Sequence, residues 1–202
     1  MYRYFRTGHK NFKKGAIDTK ALSRLTPGLL LGAVLSALIA DSISTTFLKY
    51  FFIVFELLVA IQIFSGVGVK PHRILPSPVA TGMAGGMIGL VSGLVGIGGG
   101  TLTVPFLNWC NYDIKKAIGT SAACGMPIAV AGMLGFIWVG LDVQEMPSGT
   151  MGYVYWPAFI GIGAMSVLFA PLGVKLAHSL PSYWLKKMFS IFILLVAIKM
   201  AW

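Results

Sequence analysis

Charge is scarce in this sequence. Charged residues fill 11% of its 202 positions, where a soluble domain carries about a quarter. That is too little polar surface to cover a water-soluble body of this size. Acid is scarcer still, with 6 Asp and Glu against 16 Lys and Arg and a formal net charge of +10. No paired carboxylates, His/Asp cluster or metal motif stands out, so a membrane-embedded enzyme has no chemistry to build on, and no cofactor or metal is expected. Nothing resembles an ATP site. The two cysteines, Cys110 and Cys124, form no CxxC and read as small packing residues in apolar context. His9, His72 and His178 are isolated beside basic stretches and read as interfacial residues rather than ligands. The basic N-terminus also lacks the short apolar region and cleavage site of a secretory signal.

The positive excess does not point to nucleic acid, because no aromatic-basic RNA motif accompanies it. Basic residues collect in cytoplasmic loops of membrane proteins, where they set orientation and meet anionic headgroups. What the chain has in quantity is apolar residues, 56% of the total. They come in blocks near the 20 residues a spanning helix needs. The blocks are residues 25–40 (extending back to Ala21), 47–64, 79–110, 117–141, 153–176 and 184–202. The third is too long for one span and is interrupted at Gly98, Gly99 and Gly100. Barrel strands are excluded, since they alternate polar and apolar residues over about ten positions. The expected fold class is all-α, a polytopic bundle of about six transmembrane segments.

Part of the sequence repeats. Residues 48–61, LKYFFIVFELLVAI, align with 185–198, LKKMFSIFILLVAI, at nine of 14 positions. Upstream, Pro27 with Gly32 and Ala33 resembles Pro157 with Gly163 and Ala164, and Met1 and Gly8 fall opposite Met133 and Gly140. Duplication is a common construction in secondary transporters. It divides the chain into residues 1–68, the later part of a first transmembrane repeat, and 79–202, a second repeat. Residues 79–132 then have no partner. The chain is expected to lack the first part of repeat one, roughly 55 to 65 residues with a second glycine break. The alternative function is therefore a truncated, non-transporting membrane subunit or fragment.

The segment LVSGLVGIGGGTLTVP, residues 90–105, is where a site is expected. Four glycines in five residues each cost a helix about 1 kcal/mol relative to Ala, so the backbone should open. In a bilayer an open backbone survives only inside protein or along a polar cavity. Unwound N–H groups and a new helix start suit an anion, and Ser92, Thr101 and Thr103 can add hydroxyls. A glycine-rich helix crossing is the plainer reading. Gly99 is taken as the position where close approach and a positive φ matter. Thr101 stands where a dinucleotide fingerprint needs Gly, and no Lys-Ser or Lys-Thr follows, which excludes a P-loop. Gly85, Gly89 and Gly93 recur every fourth residue and read as a packing face. Gly119, Thr120 and Ser121 suit either substrate contact or helix capping. Glu56 lies deep in an apolar run, where an ionisable group is a candidate for ion coupling, or a partner for a basic group elsewhere.

GLVSGLVGIGGGTLTVPFL at residues 89–107, AIGTSAA at 117–123 and the repeated helix pair resemble the sulfite exporter TauE/SafE family over nearly the whole chain. The resemblance implies a multi-pass inner-membrane transporter of sulfite, organosulfonates or related organic acids. In that family the glycine motif occurs once in each half, and here one copy is present. The site residues it carries over are Gly96, Gly98, Gly99, Gly100, Thr101, Pro105, Thr120 and Ser121.

The expected function is secondary, non-ATP transport of a small anionic solute through the bilayer, with Glu56 as the possible coupling residue. Charge adds a topology. Arg3, Arg6, Lys10, Lys13, Lys14, Lys20 and Arg24 precede the first helix, while its repeat counterpart carries Asp142 and Glu145. Loops of opposite charge belong on opposite sides, so the repeats should be inverted. This requires the third block to enter, turn at residues 98–100 and return. Lys70, Arg73, Lys115, Lys116, Lys175, Lys186 and Lys187 then share the cytoplasmic side with the N-terminus.

Overall fold

A backbone in lipid must satisfy its own hydrogen bonds, and a helix does so within one segment. The computed structural model describes residues 17–65, 74–143, 146–179 and 181–202. Their helices are α1 (Thr19–Ser42), α2 (Thr45–Ser65), α3 (Pro78–Val95), α4 (Gly100–Trp109), α5 (Ile114–Val139), α6 (Trp156–Ser179) and α7 (Ser182–Ala201). Five of these, α1, α2, α3, α5 and α6, are long and apolar enough to cross a membrane. The polytopic all-α bundle is therefore the fold, with the third apolar block split into α3 and α4. One element was not expected. Residues 150–155 form a hairpin of β1 (Thr150–Met151) and β2 (Val154–Tyr155), pairing Thr150 with Tyr155. Gly149 and Gly152, at φ +91° and +56°, supply the backbone turns that other residues resist. The basic residues up to Lys14, Lys70, Arg73, His9, His72, Glu145 and the side chains of Lys175, His178 and Lys186 lie outside the described residues.

The chain divides into two compact units that interleave in sequence. One holds α1 up to Ser36, α3, α4 and α5 up to Gly132. Its core stacks Ala21, Leu25, Leu29 and Ala33, every fourth residue of α1, with Ile88, Leu107, Cys124 and Ile128. α1 and α3 run in the same direction and almost touch. A Cβ at Gly85 would lie 2.5 Å from the Leu25 carbonyl oxygen, and one at Gly28 would strike the Gly82 carbonyl. The packing face expected on α3 is thus real, and its partner is the Gly28 and Gly32 face of α1. Asp18 caps α1, its Oδ1 accepting from Ala21 N at 2.8 Å, while its own N–H donates to Thr120 Oγ1 at 2.8 Å. The starts of α1 and α5 are tied together in this way.

α3 has 18 residues, about 27 Å. α4 has only 10, about 15 Å or half the ~30 Å hydrocarbon core. The turn after α4 (Cys110, Asn111, Tyr112 and Asp113) lines one cleft with Ile74 and Leu75, which precede α3, and with Lys20 and Arg24 of α1. The third block therefore enters, turns and returns to the end it left.

The other unit holds α1 from Ala37, α2, α5 from Met133, the hairpin, α6 and α7. Tyr153 Oη donates to Asp41 Oδ1 at 2.5 Å, so the end of α1 meets the loop leading into α6. This bond raises the Tyr153 pKa, with burial and the Asp41 charge adding to the shift. The last turn of α1 and the first residues before α6 therefore lie side by side. Both helices have 24 residues, and Thr19 to Trp156 is the same step of 137 as Ser42 to Ser179. The step also links Leu48 to Leu185 in the sequence match. By contrast, Pro27 and Pro157 stand 130 apart, out of this register by about two helical turns. The sequence match upstream of α2 rested on similar residues, and the helix limits do not follow it.

Candidate substrate site at the glycine break

The break begins where α3 ends. Gly96 adopts the left-handed conformation, φ +69°, and its N–H returns to the Ser92 carbonyl. Ile97 N also reaches that carbonyl, at 3.0 Å. This closes the orphan end of α3 without a side chain. Positive φ therefore belongs to Gly96 and not to Gly99, whose φ is −52°. Gly99 is constrained by proximity instead. It is buried against α5, and a Cβ there would lie 3.0 Å from Ile128 Cδ1, 3.4 Å from Gly125 N and 3.5 Å from Ser121 O. Gly96 and Gly98 face open space, with nothing within 4 Å of an added Cβ.

α4 starts at Gly100 with Gly99 as its N-cap and no side-chain cap. The first intrahelical bond is Thr103 N to Gly99 O, at 2.9 Å. The first N–H groups of α4 thus point out of the helix start without a side-chain acceptor. Pro105, inside α4, has no N–H and so leaves the Thr101 carbonyl without its usual donor. A short helix with free groups near both ends of its first turn is suited to small polar ligands.

Of the residues singled out in the sequence, Gly99, Gly100 and Ser121 come together. The Ser121 hydroxyl lies 4.0 Å from a Cβ built on Gly100, and it donates to the Ile118 carbonyl at 3.1 Å. Thr101 and Pro105 follow on half-buried positions of the same short helix. Thr120 is fully buried, and its hydroxyl accepts the Asp18 N–H, which is the structural role left open beside substrate contact.

The sequence pattern of the family described as sulfite exporter TauE/SafE matches residues 6–200. The chain belongs to the TauE/SafE family. It is similar to a "Probable membrane transporter protein" of Haemophilus influenzae, 32% identical over 197 residues, which is 96% of this chain and 74% of that protein. A second protein with the same description, from Methanocaldococcus jannaschii, is 26% identical over 114 residues, 54% of this chain and 39% of that protein. No solved structure matches. As a TauE/SafE protein with five candidate spans, the chain is a multi-pass membrane protein of a transporter family.

Within this TauE/SafE chain, two features of the break escaped the sequence. Gly125 and Ile128 complete its wall on α5. The spacing of Ser121 and Gly125, four residues apart, is the signal that could have marked them as one small-residue face. Thr103, whose hydroxyl the sequence offers beside Ser92 and Thr101, also belongs here. It is fully buried, and its Oγ1 has no hydrogen-bond partner. Its position one turn after Gly99 on α4 makes it a natural addition.

Glu56 belongs to the other compact unit, on α2. It is 9% exposed, and its Oε2 has no hydrogen-bond partner. It shares a buried face with Ile53, Val59 and Ala60. The residues one step of 137 later, Ser190, Ile193, Val196 and Ala197 of α7, are all buried or half-buried. α2 and α7 thus use equivalent faces, and Glu56 is the ionisable residue that one of them holds.

Proposed function

We propose that the protein carries a small oxyanion across the membrane by a secondary mechanism, with the glycine break as the anion site. The observation supporting this is the uncapped start of α4, set against Ser121 of α5. Unpaired N–H groups and the positive end of a helix stabilise an anion without placing a full cation in lipid. Gly96, Gly98, Gly99, Gly100, Thr101, Pro105 and Ser121 form this site in the proposal, with Thr120 fixing α5 behind it. Family membership favours sulfite, organosulfonates or related organic acids as the solute class. Equivalent repeats facing opposite ways give a route to alternating access, because each can rock against the other around a fixed site. Glu56 is proposed as the coupling group, since an unpaired carboxyl in a span costs a few kcal/mol and needs a reason to be kept. The basic end, with Lys20, Arg24, Lys115 and Lys116, faces the cytoplasm in this reading.

The test is Gly99→Leu in proteoliposomes loaded with sulfite. A side chain there meets Ile128 Cδ1, already 3.0 Å from an added Cβ, and must push the start of α4 away from Gly125 and Ser121. Sulfite efflux should vanish while membrane insertion stays normal. Efflux at the wild-type rate would remove the glycine break from the mechanism.

A further inference from the structure

At the far end of α4 from the glycine break lies a cleft of about 450 Å³. Lys20, Arg24 and Lys116 line it, against one carboxylate, Asp113. That carboxylate is turned to backbone, its Oδ1 accepting from Lys115 N at 3.0 Å. Arg24 donates to the Pro76 carbonyl at 3.4 Å, which holds the guanidinium at the rim with donors to spare. α1 and α5 both start at this end, each capped by its own carboxylate, Asp18 and Asp113, so the three side-chain cations are the charge left for a ligand. Burial and the nearby Asp18 charge push the Tyr112 phenol up, against the opposing pull of Arg24.

We propose that this cleft binds the phosphate of an anionic phospholipid headgroup. The ligand chemistry is a phosphate oxyanion, and the apolar rim selects the lipid as its source. Ile74 is 87% exposed beside the cations, and Leu75 lines the cleft with it. A free phosphate gains nothing from these side chains, whereas an acyl chain lies along them. The location fits as well, since the cleft sits where helix starts leave the hydrocarbon and basic residues meet the headgroup layer. Lipid held there would brace the Asp18–Thr120 tie between α1 and α5. The inference does not depend on the transport reading.

The experiment uses the purified, delipidated protein in detergent, with native mass spectrometry counting bound lipid. Phosphatidylglycerol should bind, and phosphatidylcholine should bind far more weakly. Lys20 and Lys116 are both exposed, so K20Q/K116Q keeps the fold and should weaken phosphatidylglycerol binding about 30-fold, the effect of two near-surface cations. K49Q/K199Q removes the same charge in the other compact unit and should bind as the wild type does. Unchanged binding in K20Q/K116Q, an equal loss in K49Q/K199Q, or equal binding of phosphatidylcholine would each overturn the assignment. Displacement of the lipid by millimolar inorganic phosphate would overturn the lipid as the ligand.

Discussion

Gly28→Ala is the sharpest test of how the α1–α3 pair is built. Alanine is the better helix former, by about 1 kcal/mol over glycine, so in an open helix the change stabilises. Here the added carbon would strike the Gly82 carbonyl oxygen and lie 2.6 Å from Gly86 N. Ordinary contact needs about 3.5 Å, so the approach to Gly86 N alone requires the backbones to part by about 1 Å and the nearer Gly82 oxygen requires more. Neither obstacle is a side chain that can rotate away. A gap of that size forfeits a quarter to a half of the dispersion energy of each facing atom pair. Overpacking of this kind costs about 1–3 kcal/mol, which outweighs the propensity gain. Gly86→Ala is the internal control. Its Cβ would stand 3.8 Å from the Gly28 carbonyl oxygen, an ordinary contact in the same crossing. Thermal melting in detergent, followed by size-exclusion fluorescence, should therefore show Gly28→Ala below the wild type and Gly86→Ala at or above it. Equal melting of the two variants, in either direction, would refute the close crossing.

Two further outcomes are expected. With Cys110 and Cys124 replaced by alanine, a single cysteine at Ser148 should react with an impermeant thiol reagent in intact cells, and one at Lys115 should not; labelling at 115 would end the proposed orientation. Glu56→Gln should insert normally and transport without responding to an imposed pH gradient, and an unaltered response in flux assays would remove Glu56 from coupling.

The break was legible because four glycines in five residues have one physical meaning in a spanning segment, an opened backbone. Which glycine does what was not legible. Gly96 and Gly99 look alike in sequence, but one closes α3 at positive φ and the other lies under α5. Thr120 and Ser121 are adjacent, yet one ties α5 to Asp18 and the other faces the start of α4. The cleft at the basic end was visible only as scattered Lys and Arg, because its parts come from three separated stretches of chain.

Sequence alone decided the solvent and the helical class, while its six apolar blocks became five candidate spans among the described residues. Blocks of about 20 apolar residues with so few charges are satisfied in lipid, and blocks apolar on all sides rule out barrel strands and leave self-bonded helices. The excess of basic over acidic residues and the 48–61 to 185–198 match were likewise legible, since each depends on composition or local order. Contacts between distant residues belong to the tertiary structure. The return of the third block to its starting end and the meeting of Gly28 with Gly82 are set by which helix faces fit closely. That fit depends on absolute distances between backbones, which no periodicity in a single chain encodes.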